Sequence, residues 1–110
     1  MTQKQNSKPV YDLEKRTFQF AKDVRLFVKT LQKTIANIED GRQLIRASGS
    51  VGANYIEANE SLSKKDFLMR VKISRKEAKE CAYWLGLNYE TNNLDNPDEA
   101  QSLIQEANGE

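Results

Sequence analysis

From Leu13 onward apolar residues return at intervals of three and four. Leu13, Phe20, Ala21, Val24, Phe27, Val28 and Leu31 share one stripe, while Lys15, Arg16, Lys22, Asp23 and Lys29 point elsewhere. This predicts an amphipathic helix with Asp12 as its N-cap. A second helix carries Leu44, Ser48, Val51, Tyr55, Ala58 and Leu62 on one stripe, and Ile45, Gly49, Gly52 and Ile56 on the stripe beside it. Neither Gly nor Pro separates these two helices. Asn37 followed by Asp40 resembles an N-cap with an acid in the first turn, which places a short connection at 32–37. Ser63-Lys64-Lys65-Asp66 is a capping-box variant that opens a third helix, whose stripe is Phe67, Val71, Ser74, Ala78, Cys81, Leu85 and Asn88. Asn92-Asn93-Leu94-Asp95 reads as a loop. Asn96-Pro97-Asp98-Glu99 then starts a fourth helix, with Pro at the first helical position and acids beside the positive end of the dipole. Ala100, Leu103, Ile104 and Ala107 give that helix barely three turns. No segment alternates in the manner of a strand, so the fold class is all-α, with a polar, flexible N-terminal arm at 1–10 and a helical bundle domain at 11–110.

Composition narrows the chemistry. With 110 residues there is room for one domain. His is absent, which removes His-based acid–base catalysis, Ser-His and Cys-His nucleophile pairs, and every His-containing metal site. The single Cys81 has no internal disulfide partner and suits a reducing compartment. The first ten residues lack the apolar stretch of a secretory signal, and no apolar run reaches the ~20 residues of a membrane span. The expectation is a cytoplasmic, non-enzymatic protein with no cofactor, no small-molecule substrate and no membrane partner.

The net charge of +1 hides an asymmetry: residues 1–79 hold all 17 Lys and Arg against 9 acids, and residues 80–110 hold 7 acids and no base. On the third helix Lys65, Lys72, Lys76 and Lys79 share one face, a spacing that can follow phosphates; Arg25 and Arg46 are further candidates for such a surface. The same charges also serve as the solvated coat of a helix. No base-reading motif accompanies them, so binding would read shape and charge rather than sequence.

Three other stretches stand out. The run from Arg46 to Asn54 holds two Gly, two Ser and two Ala inside a helix, at ~1 kcal/mol for each Gly relative to Ala. Gly49, Gly52 and Ala53 therefore point to close helix packing or a subunit interface, since the pattern of a phosphate-binding loop is missing. Asn54, Glu57, Asn59 and Glu60 form a polar cluster. Glu57 or Glu60 is expected to pair with Arg70, Arg75 or Lys76 of the next helix, because charges facing a bundle interior need partners. A carboxylate metal site would lack the His of the Glu-x-x-His motif. Tyr83, Trp84 and Leu87 lie off the core stripe, and Trp84 reads as an interface or partial-core residue in preference to a base-stacking platform. Cys81, on the apolar stripe, reads as an inert thiol.

Gln43-Leu44-Ile45-Arg46, Ser48 through Glu57-Ala58-Asn59-Glu60, Asp66-Phe67, Ile73-Ser74-Arg75-Lys76-Glu77-Ala78-Lys79-Glu80 and Tyr83-Trp84-Leu85 occur in order. This series resembles the bacterial four-helix-bundle proteins encoded in intervening sequences of 23S rRNA genes, over about Tyr11 to Leu87. The resemblance implies an up-down four-helix bundle that assembles into a ring-shaped homo-oligomer, typically a pentamer. The accessory variability determinant of diversity-generating retroelements is similar and binds nucleic acid and a reverse transcriptase, which makes RNA, DNA or a nucleic-acid-processing protein the implied partner. The alternative is a scaffold whose basic face docks an acidic protein. The resemblance transfers no catalytic residues. Two departures are Gln32, where members often carry Pro in the first inter-helix turn, and the short or truncated fourth helix.

Overall fold

The computed structural model describes residues 9–109, which form α1 (Pro9–Lys29), α2 (Ile35–Asn59), α3 (Lys64–Thr91) and α4 (Pro97–Ala107) with no strand among them. Each helix packs on its neighbour in the chain and α4 closes back onto α1, while the backbones of the diagonal pairs stay apart. This is an up-down four-helix bundle. Residues 1–8 of the expected arm lie outside the described residues.

The helix ends correct two expectations. α1 begins at Pro9, so Asp12 lies in its first turn and does not cap it. Thr34, and not Asn37, caps α2: its hydroxyl accepts from the Asn37 backbone N–H at 3.1 Å. One of the four orphan donors at the helix start is thereby satisfied. The Asn37 side chain is released to turn inward, and the connection shortens to 30–34. Ser63 caps α3 as expected, accepting from Asp66 N–H at 3.1 Å. Pro97 opens α4, although the Asn96 side chain makes no cap bond. Gly109, at φ 85°, ends it: its N–H donates to Glu106 O (3.0 Å) in the left-handed cap that glycine adopts without strain. α4 has 11 residues and α3 has 28, about 16 Å against about 42 Å at 1.5 Å per residue. The fourth column of the bundle therefore covers less than half of the third.

Phe20, Val24 and Phe27 of α1, Leu44 and Ala47 of α2, Cys81 and Leu85 of α3, and Ala100, Leu103 and Ala107 of α4 form the main core. Every one except Ala47 lies on a stripe legible in the sequence. Leu62 is the exception in the other direction: α2 stops at Asn59, and Leu62 stands in the turn, wholly exposed.

Polar pairs set the register of α2 against α3. Asn37 bonds Asn88 (3.1 Å), Arg46 bonds Glu77 (3.3 Å) and Glu80 (2.8 Å), the Ser74 hydroxyl donates to Val51 O (2.8 Å), and Arg70 donates to Asn54 (2.9 Å). As numbers rise on α2 they fall on α3 at an equal pace, the signature of antiparallel neighbours. At one end Asn37 forms a hub. Its amide donates to Gln32 O (3.0 Å) and Asn92 Oδ1 (2.9 Å), and its oxygen accepts from Asn88 and Asn92 (3.1 Å each). Both inter-helix loops at that end are thus tied to one side chain.

α1 meets α2 across two glycines. A Cβ on Gly41 would lie 3.0 Å from Val28 Cγ1, and one on Gly52 would lie 3.1 Å from Thr17 Oγ1. Asn59 donates to Glu14 (2.6 Å) farther along the same seam.

Replacing Asn37 by Ala should lower stability by about 3 kcal/mol, because the cavity is small but the buried Asn88 and the less buried Asn92 and Gln32 O lose their bonds at once. Urea unfolding should show a lower midpoint at unchanged slope; a midpoint equal to the parent's would refute the hub.

Candidate functional site

α3 presents two unlike faces. Ser74, Glu77, Cys81, Leu85 and Asn88 are buried toward the bundle. At 100° per residue the opposite side carries Lys65, Lys72, Lys76 and Lys79, all exposed. The row spans about 21 Å along the helix. Lys76 Nζ lies 3.9 Å from Glu77, and the other three make no ion pair among the described residues. The four lysines are thus together and largely unneutralised.

The two arginines lie elsewhere. Arg46 occupies the α2–α3 seam, held by Glu77 and Glu80, with Glu77 almost wholly buried. Its charge is spent on these two carboxylates. Arg25 lies across the α1–α2 seam, where it donates to Ala21 O (3.1 Å), Ser48 Oγ (3.5 Å) and Ile45 O (3.4 Å).

The polar cluster also resolves differently from its expected pairing. Glu57 and Glu60 face solvent and make no ion pair among the described residues. Asn54 takes Arg70, and Asn59 takes Glu14. The carboxylates that do pair across α2–α3 are Glu77 and Glu80. Arg75 instead lines a cavity of about 370 Å³ between α1 and α3, beside Lys79 and the Arg16–Glu106 ion pair. Among the described residues no group of three or more His, Cys, Asp or Glu side chains could hold a metal ion, and no helix is long and apolar enough to cross a membrane.

Of the small residues, Gly52 and not Gly49 is the close-approach position. A Cβ on Gly49 would meet Arg25 at an ordinary 3.5 Å, and Ala53 faces outward. All three border a groove of about 870 Å³ between α1 and α2, where Phe18 (71% exposed), Leu26, Ile45 and Ile56 stand exposed below a rim of Lys22, Lys29 and Lys33. Phe18 and Leu26 were missed in the sequence. They are eight residues apart on the side of α1 turned away from its core stripe, and large apolar side chains on that side were the available signal.

Trp84 packs half-buried against the core, and Tyr83 stands outside it in a T-shaped pair, with ring centroids 5.1 Å apart and planes at 75°. Burial, reinforced by Glu77 and Glu80, pushes the Cys81 thiol up to about 12. The partly neutralising Arg46 does not reverse this. A thiol that stays protonated is neither nucleophile nor metal ligand at neutral pH.

An all-helical up-down bundle, basic along the outside of one helix and apolar along a groove on another seam, defines a small helical-bundle protein. The chain belongs to the 23S rRNA-intervening sequence protein family, whose pattern it matches over residues 11–109. It is also similar to a crystal structure of a protein with unknown function from the S23 ribosomal protein family of Bacteroides thetaiotaomicron VPI-5482. The identity is 27% and the TM-score 0.74, over 87% of this chain and 91% of that one. No curated protein matches the chain at a significant level.

The raised Cys81 value has a defined consequence. Above pH 9 the unfolded thiol loses its proton while the folded one keeps it, so stability falls with rising pH between about 9 and about 12. Cys81→Ala should flatten the alkaline limb of a stability–pH profile, and a disulfide-exchange reagent at pH 8 should label the parent only as it unfolds. Prompt labelling of the native protein would contradict the buried, protonated thiol.

Proposed function

We propose that the chain is a non-catalytic, self-assembling cytoplasmic protein that binds structured RNA through the outer face of α3. The row Lys65, Lys72, Lys76 and Lys79 carries this reading, because it points directly away from the core and retains its charge. Neutralising a phosphate releases a condensed counterion, so such a row binds polyanions at a cost only in side-chain order. A 23S rRNA connection in the family's name agrees with an RNA ligand. Arg25 and Arg46 are not part of this surface, since both are engaged on helix seams.

The groove between α1 and α2 supports self-assembly. Its exposed Phe18, Leu26, Ile45 and Ile56 form one contiguous apolar surface, and such surfaces on helical proteins mark contacts with other chains. A ring of five subunits, the number implied by the family resemblance, would present five lysine rows. Affinity would then rise through avidity without new contacts.

Changing Lys72 and Lys76 together to Glu should weaken binding to every RNA sequence alike, and the parent's affinity should fall steeply with salt, at ~0.7–0.9 of log–log slope per neutralised phosphate. Affinity that is flat between low and moderate salt, or a folded double variant that binds like the parent, would overturn the reading. Leu26→Lys with Ile45→Lys should convert the assembly to single chains in light scattering; a parent that already scatters as one chain refutes self-assembly.

A further inference from the structure

One turn beyond Lys79, on the same outward face of α3, stands Tyr83. It is 62% exposed, and no protein group among the described residues bonds its hydroxyl. Lys79 and Tyr83 are four residues apart, hence neighbours on the helix surface, about 6 Å along the axis. The ring is not loose. Trp84 meets it in a T-shaped contact, centroids 5.1 Å apart, and is itself packed against the core, so the exposed aromatic has a buttress anchored in the bundle.

The charges around it are graded. Glu80 is the nearest acid on α3, and Arg46 holds it at 2.8 Å, which removes a carboxylate that would otherwise repel phosphate beside the ring. Glu90 continues the same face two turns farther and is exposed. The face thus runs from lysines to an aromatic ring to an acid: a cationic track, a π-surface, then a negative stop.

We infer that this face binds RNA carrying an unpaired base, with phosphates along Lys72, Lys76 and Lys79 and the base stacked on Tyr83. The inference rests on the phosphate-binding reading of the lysine row and adds the class of RNA. Inside a continuous duplex every base is already stacked on its neighbours and its π-face cannot reach a protein ring, whereas a loop, bulge or single strand offers one. Stacking tolerates any base, in keeping with a surface that has no group placed to read base edges.

The test compares two probes with the full chain: a labelled single-stranded oligoadenylate and an RNA duplex of equal length, in anisotropy titrations at one fixed salt concentration. Tyr83→Ala should weaken the single strand about tenfold and leave the duplex within about twofold. Tyr83→Phe should bind both like the parent, because the ring and not the hydroxyl does the stacking. Tyr83→Leu keeps bulk without a π-face and should behave like the alanine variant; it serves in its place if alanine unfolds the chain. Equal loss for both probes, no loss for the single strand, or a change of oligomeric mass in Tyr83→Ala would overturn the inference, the last by placing Tyr83 between copies. The lysine reading fails separately, when the parent binds neither probe or when Lys72→Glu with Lys76→Glu binds both like the parent; a Tyr83 result that fails alone leaves it intact.

Discussion

The antiparallel register of α2 on α3 is the constraint from which the rest of the molecule follows. Apolar stripes alone would tolerate a slide of one turn, since Leu, Val and Ala meet one another in many registers. The polar pairs do not. Asn37 with Asn88, Arg46 with Glu77, Ser74 with Val51 O, and Asn54 with Arg70 are satisfied together in one alignment only. Leaving a buried polar group unpaired costs about 1–3 kcal/mol, so a slipped register would lose several such bonds at once. Fixing the rotation of α3 in this way also decides which of its residues face water, and Lys65, Lys72, Lys76 and Lys79 fall on the far side as a direct consequence.

Much of this was legible in the sequence because periodicity is a local property. The core stripes, the Ser63 cap, the Pro97 start and the short α4 each need only a few adjacent residues to be seen. The α1–α2 boundary was not legible for a physical reason. Thr34 and Asn37 are both good capping residues three positions apart, and only tertiary packing shows that Asn37 is consumed by Asn88 and Asn92. Glu57 and Glu60 mislead in a similar way. Their spacing from Asn54 suggests one inward cluster, but the helix turns them to solvent while Glu77 and Glu80, one helix later, take the arginine.

The candidate site divides along the same line. The lysine row is a statement about one helix, and its spacing alone reveals it. Arg25 and Arg46 required knowledge of what crosses from the neighbouring helix: a carbonyl and a hydroxyl in one case, two carboxylates in the other. Gly52 was singled out with Gly49 and Ala53 by composition, yet of the two glycines only Gly52 has a neighbour, the Thr17 hydroxyl, close enough to crowd an added Cβ. Gly41, tighter still against Val28, has no unusual composition around it and gave no signal.

The unequal lengths of α3 and α4 bear on how the chain reaches this state. The most extensive interface joins α2 and α3, which are consecutive and connected by a turn of four residues, 60–63. Their contacts close short loops first, so little chain entropy is lost before packing energy returns. α1 can dock next across Gly41 and Gly52. α4, short and stopped by Gly109, contributes three buried side chains at one end of the bundle. A central hairpin that can form without either terminal helix keeps the folding nucleus independent of the ends of the chain, leaving sequence change in α4 to act on the rate of unfolding more than on the rate of folding.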